Sequence, residues 1–197
     1  MSTVLWWWSR PWIFIWGPMS WASVAGAALI FAVGIVVGSA AEDRDIGWLT
    51  ACGRWVLARL EAWLARSEPS FAALVFLIWS INGLTAAMII LSAWLGPLPL
   101  IVLLAAGINT GVMARRTAGK RAWIVLAAPH AWIELPAIIT AAAAATQAGL
   151  ARLGVDWFDL LADTVWAKAF LTRVTLPLLL GAALLEAGIM ISTGGKR

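Results

Sequence analysis

Charge is scarce in this chain of 197 residues: only 12% are Asp, Glu, Lys or Arg, against about 25% in soluble domains. A further 62% are hydrophobic, where about 45 to 50% is usual, and a water-soluble fold has no way to hide that much apolar surface. Cysteine is nearly absent too. Cys52 has no partner in the chain, which excludes an internal disulfide. With one histidine and one distant cysteine, the three or four ligands of a zinc centre are not in view, so no metal is expected. No G-x-S-x-G or comparable element marks a nucleophile, and the expectation is a protein that is not an enzyme. The net charge of +4 invites a nucleic-acid reading. The 14 Lys and Arg residues, however, fall in short clusters between apolar runs, as in a membrane protein obeying the positive-inside rule, so no nucleic acid is expected.

What is present is long apolar sequence. A spanning helix needs about 20 mostly apolar residues, and five segments come close, at 21–41, 71–95, 98–114, 122–149 and 174–192. The expected fold is all-α, a polytopic transmembrane helical bundle forming a single domain over residues 21–197. Only Gly96 and Pro97 separate the second and third segments, which predicts a tight helical hairpin, with Pro97 and Pro99 usable at a helix start. The fourth is long and contains Pro129 and Pro136, each of which removes a backbone hydrogen bond, so a break near its middle is expected.

Residues 1–20 carry Trp6, Trp7, Trp8, Trp12 and Trp16 around Arg10 and Pro11. This pattern suits the membrane interface better than a cleaved signal peptide, and the segment is expected to be retained. Two connecting stretches read as amphipathic helices lying along the membrane. In 46–64, the residues Ile46, Leu49, Gly53, Val56, Leu57, Leu60 and Leu64 recur at helical spacing. In 156–170, Trp157, Leu160, Leu161 and Val165 are set against Asp159, Asp163 and Lys168.

Polar groups inside a span are costly and need a reason. His130 and Glu134 stand four residues apart in the fourth span, on one helix face, between the two prolines. They suit a proton relay, an ion site or a polar gate, or else a satisfied pair pinning a broken helix, and the pinning role is the preferred one. Asn82 and Asn109 add amides able to bond across helices. Gly34 with Gly38, and Gly107 with Gly111, have the G-x-x-x-G spacing that permits close helix packing. Glu186 in the last span has Arg173 or a water-filled space as its alternatives.

Three of these elements together carry a resemblance. Ser80-Ile81-Asn82-Gly83, Gly107-Ile108-Asn109-Thr110-Gly111 and Pro129-His130-Ala131-Trp132-Ile133-Glu134-Leu135-Pro136-Ala137 resemble the stage II sporulation protein M (SpoIIM-like) family. Its last motif typically looks like P-H-G-x-x-E-L-P-A, from which this chain departs only at Ala131. The resemblance covers roughly 71–149, and five spans are similar to the family's layout. It implies a non-enzymatic prokaryotic membrane subunit that scaffolds or stabilises a larger complex, because the family's namesake works beside peptidoglycan-degrading partners and is not itself the hydrolase. The expected partners are therefore other membrane subunits and lipid, in a photosynthetic, respiratory or envelope assembly. The 15 Trp side chains offer rigid surface for lipid, pigment or quinone contacts, though no cofactor motif is identifiable. A transporter or channel with a polar site at His130 and Glu134, and a membrane-embedded enzyme, are the rival readings.

Five crossings would put Arg10, Arg152, Lys168 and Arg173 on one side and the other ten basic residues opposite. This places the N-terminus outside and the C-terminus in the cytoplasm of a prokaryotic inner membrane. A reporter fused after Arg197 should be active only in the cytoplasm, and activity confined to the outside would reverse the assignment.

Overall fold

A computed structural model describes residues 21–67, 69–153 and 169–194, and every regular element among them is helical. The Trp-rich segment 1–20 and residues 156–168 of the second proposed amphipathic helix lie outside the described residues.

Helix α1 spans Trp21–Asp43 and α2 spans Gly47–Ser67. The turn between them is closed by two backbone bonds, from Ile46 N–H to the Ala41 carbonyl at 2.9 Å and from Asp45 N–H to the Glu42 carbonyl at 3.3 Å. This is the Schellman arrangement, and its left-handed position is filled by Asp45 at φ 53° rather than by the usual glycine. Aspartate is among the few residues that tolerate that region. Its carboxylate then accepts from Arg54 on α2 at 2.6 Å, tying the turn to the helix that follows.

Ser70 caps α3 (Phe71–Ser92) by accepting from the Ala73 amide, and a 3-10 turn at Ala93–Leu95 extends it. Gly96, at φ 66°, then reverses the chain into α4 (Leu98–Ala118), which carries Pro99 in its first turn. The expected hairpin is thus present. Helix α4 runs a turn beyond 114, because Arg115 and Arg116 there find acidic partners. After a 3-10 turn at Gly119–Arg121 come a short helix, α5 (Trp123–Leu126), and then α6 (Ala131–Arg152). Finally, a π-helical turn at Leu171–Thr175 leads into α7 (Leu176–Gly194).

The break in the fourth segment falls at Ala127–His130, near its start rather than its middle. Pro129 lies within it, and a proline disfavours the helical conformation of the residue before it, here Ala128. Pro136 instead sits inside continuous α6 helix. It forfeits one backbone bond there, a loss that membrane helices tolerate when neighbours re-satisfy the freed groups.

Five helices, at Trp21–Asp43, Phe71–Leu95, Leu98–Arg121, Ala131–Leu150 and Leu171–Ser192, are long and apolar enough to cross a membrane. Their outward faces carry Leu29, Val36, Phe76, Leu84, Leu91 and Ile101, all exposed. Such surface is stable in lipid, and the chain is a multi-pass membrane protein.

Within the bundle α6 is central. It touches α1, α3, α4 and α7, and 61% of its apolar stretch is buried, against 28–33% for the other four spans. Its middle, Ala141 to Ala145, is 0% exposed and packs in one cluster with Phe31, Ile89, Leu103, Phe170 and Leu179. A second, smaller cluster joins Leu74 and Val75 of α3 to Ala183 and Ala187 of α7, with Trp63 and Leu64 of α2 packed against it. Helix α2 therefore lies against α4 at Gly53 and reaches the α3–α7 cluster with its far end.

All four glycines of the two G-x-x-x-G pairs meet at the α1–α4 crossing. A Cβ at Gly34 would stand 2.6 Å from the Leu104 carbonyl oxygen and 3.0 Å from the Gly107 Cα, and one at Gly38 or Gly111 would overlap the Ile108 or Ile35 carbonyl. Gly26, on the same helix as Gly34 and Gly38, has nothing within 4 Å of such an atom. Gly38→Ala and Gly111→Ala should each destabilise the protein by about 1–3 kcal/mol, as overpacking does. Gly26→Ala should not. Thermal unfolding in detergent would measure this, and equal midpoints for Gly26→Ala and Gly38→Ala would contradict the crossing.

Candidate functional site

His130 is the last residue of the turn that precedes α6. Its carbonyl accepts the Ile133 and Glu134 amides at 3.0 and 2.9 Å, so the residue both closes the turn and starts the helix. The Trp132 indole donates to the Ala127 carbonyl at 3.3 Å, folding the turn back against the first residues of α6. Lower in the same helix, the Thr140 hydroxyl donates to the Pro136 carbonyl at 2.6 Å. Local backbone bonding therefore holds His130 in place and puts Glu134 one turn beyond it.

The third member comes from α7. Donor atoms of His130, Glu134 and Glu186 all lie within 4.8 Å of one another, and all three side chains are half-buried. Glu186 is held by its neighbours on α7, Ala183 and Ala187, which are fully buried against α3. It does not pair with Arg173. Thirteen residues separate them, about 20 Å along a helix at 1.5 Å per residue. The Nδ1 of His130 is sealed from solvent and has no hydrogen-bond partner among the described residues. An unpaired buried polar atom of this kind costs about 1–3 kcal/mol.

The asparagines have other surroundings. The Asn109 amide, on α4, donates toward the Cys52 sulfur on α2 at 3.8 Å, which accounts for the lone cysteine as a contact between these two helices. Asn82 is half-buried on α3 with no described hydrogen bond. The site therefore brings together His130 and Glu134, recruits Glu186, and leaves Asn109 to the α2–α4 contact. The sequence marks Glu186 only as an acid within a span, and the α6–α7 packing is what brings it to His130 and Glu134.

A second polar constellation went unread in the sequence, where only the basic residues were weighed. It lies where α1, α2 and α4 meet. Arg54 donates to Glu42 at 2.9 Å and to Asp45, Arg115 pairs with Asp43 at 2.5 Å, and Arg116 approaches Glu42 at 3.6 Å. The hydrogen bonds that Arg54 donates to Glu42 and Asp45 hold its guanidinium pKa above the ordinary value. Partly solvated pairs of this sort contribute about 1 kcal/mol each, and their clearer effect is to tie α1, α2 and α4 to one another.

Chemically, two carboxyl groups and an imidazole in contact reach can exchange protons or hold a cation. The next turns of α6 carry Ala137 and the fully buried Ala141 to Ala145.

Comparison with known proteins gives one family. The model of the family described as stage II sporulation protein M matches residues 27–189, which takes in the helices from α1 to α7. No curated protein and no solved structure matches the chain.

Because Glu134 and Glu186 share one cluster, their substitutions should not add. In a double-mutant cycle of Glu134→Gln with Glu186→Gln, the coupling read from unfolding in detergent should lie between about 0.5 and 3 kcal/mol. Glu134→Gln combined with Glu61→Gln, a change on the exposed face of α2, should be additive. Additivity in both cycles would place the two acids apart.

Proposed function

The chain belongs to the stage II sporulation protein M family, and from that premise we propose that it is a non-enzymatic subunit that scaffolds or stabilises a larger complex in a prokaryotic cytoplasmic membrane. The observation that carries this reading is the packing of α6. The helix with the family's motif is enclosed by four others, and beyond its polar end its middle is fully buried alanine. A protein built this way offers surfaces rather than a conduit.

The surface best suited to a partner is the outer face of α2. That helix buries one face on α4 and still presents Trp48, 82% exposed, and Trp55, 62% exposed, on the other. The two are seven residues apart and so share a side. The Arg59 guanidinium lies 5.4 Å from the Trp55 ring centre and steadies it. Tryptophan and arginine are the residues most often found as binding anchors. Lipid, pigment or quinone would meet the same flat indole surfaces, and with the N-terminus outside, as the positive-inside rule favours, this face would lie on the cytoplasmic side.

A second reading, ion translocation, is favoured by one feature, the convergence of His130, Glu134 and Glu186 beside a broken helix, as discontinuous helices provide in transporters. One purification separates the two. The tagged chain, extracted from native membranes in mild detergent, should elute with other membrane proteins in fixed ratio. Trp48→Ala with Trp55→Ala should lower their recovery at least about tenfold, the scale of a lost aromatic anchor. A monomer with no co-purifying protein would sink the scaffold reading, and proteoliposome flux lost in Glu134→Gln would establish the other.

A further inference from the structure

We propose that His130, Glu134 and Glu186 form a binding site for a single divalent transition-metal ion at the contact between α6 and α7. The inference stands apart from the scaffold reading, and either can fail without the other.

Three observations carry it. The first is distance. An ion held at about 2.0–2.2 Å by imidazole nitrogen and carboxylate oxygen brings its donors to within roughly 3–4.4 Å of one another. The three donor atoms already lie within 4.8 Å, so small side-chain rotations close the set.

The second is the lack of any competing bond. Were this a structural pair pinning a broken helix, imidazole and carboxylate would meet in a hydrogen bond or ion pair. No hydrogen bond or close ion pair among the described residues joins these three side chains, although His130 and Glu186 lie near enough to attract. The Nδ1 of His130 is buried without a partner. The three donors thus converge without closing on one another in hydrogen bonds.

The third is composition. Two carboxyl groups and an imidazole converge within a span, where ionisable groups are found paired. Among the described arginines, Arg54 and Arg116 pair with Glu42 and Arg115 with Asp43. A divalent cation with a neutral imidazole brings the cluster to zero net charge, and the half-buried state of all three residues leaves an approach for it.

The donor set also selects the ion. One nitrogen and two oxygens suit Zn²⁺, Co²⁺, Fe²⁺ or Mn²⁺, whereas thiolate-seeking Cu⁺ is disfavoured because Cys52 stands away on α2, beside Asn109. Three protein ligands leave a coordination position for water or a partner's side chain. The site is built on rigid elements. Glu134 and His130 are fixed by the proline turn and its backbone bonds, and Glu186 by the packed alanines on either side of it.

His130 is the only histidine, so the full-length protein in detergent, freed of any purification tag and stripped with chelator, presents one imidazole to a metal. Titration with Co²⁺, followed by its visible absorption and by equilibrium dialysis, should show one ion per chain, displaced by Zn²⁺. Glu134→Gln and Glu186→Gln should each weaken binding at least about tenfold, and Glu61→Gln should leave it unchanged. Helical content measured without metal reports whether each variant is folded. Absence of saturable Co²⁺ binding by the folded wild type would overturn the proposal, as would unaltered affinity in a folded Glu186→Gln.

Discussion

Between helices in lipid the hydrophobic effect offers little net drive, since hydrocarbon tails are as apolar as leucine, and association rests on close van der Waals approach and on hydrogen bonds. Small residues supply that approach here. At the α1–α4 crossing the glycine pairs bring backbone against backbone, and a single methyl at Gly38 would collide with a carbonyl. Around α6 alanine does the same on a larger scale, letting four helices close on one that has almost no side-chain bulk over Ala141 to Ala145. Gly149 completes the series by lying against the Ala93 and Gly96 carbonyls at the hairpin turn.

This packing explains why the polar residues stand where they do. A helix enclosed on all sides along its alanine-rich length has room for ionisable groups only near an end. His130 and Glu134 occupy that end of α6, and α7 meets them there with Glu186. The proline turn then acts less as a kink in a long span than as the device that begins a shorter one. The charged network of Glu42, Asp43, Asp45, Arg54, Arg115 and Arg116 has a parallel role, binding α1, α2 and α4 where each leaves the apolar layer.

Helix α2 shows how far a periodic pattern can be read. Its spacing at Ile46, Leu49, Gly53, Val56, Leu57, Leu60 and Leu64 marks the face that turns inward, and each of these is buried or half-buried. The pattern says nothing of what lies opposite, which proves to be Val112 and Asn109 of α4 at Gly53 and the α3–α7 cluster at Leu64. The fourth segment was the harder case. Its apolar run continues across Pro129, so hydropathy alone extends the span back to residue 122, while the steric effect of a proline on the residue before it ends the helix at Leu126.

Membrane residence, the five spans and the shared face of His130 and Glu134 were legible in the sequence because each depends on nearest neighbours along the chain: hydropathy over about 20 residues, or a four-residue helical repeat. Which helix is central, which glycine faces which carbonyl, and that Glu186 joins residues more than fifty positions earlier were decided only by tertiary packing. The physical reason is that in lipid an apolar face carries no mark of inside or outside, so hydrophobic pattern cannot choose between neighbours and the fit of small residues against backbone does.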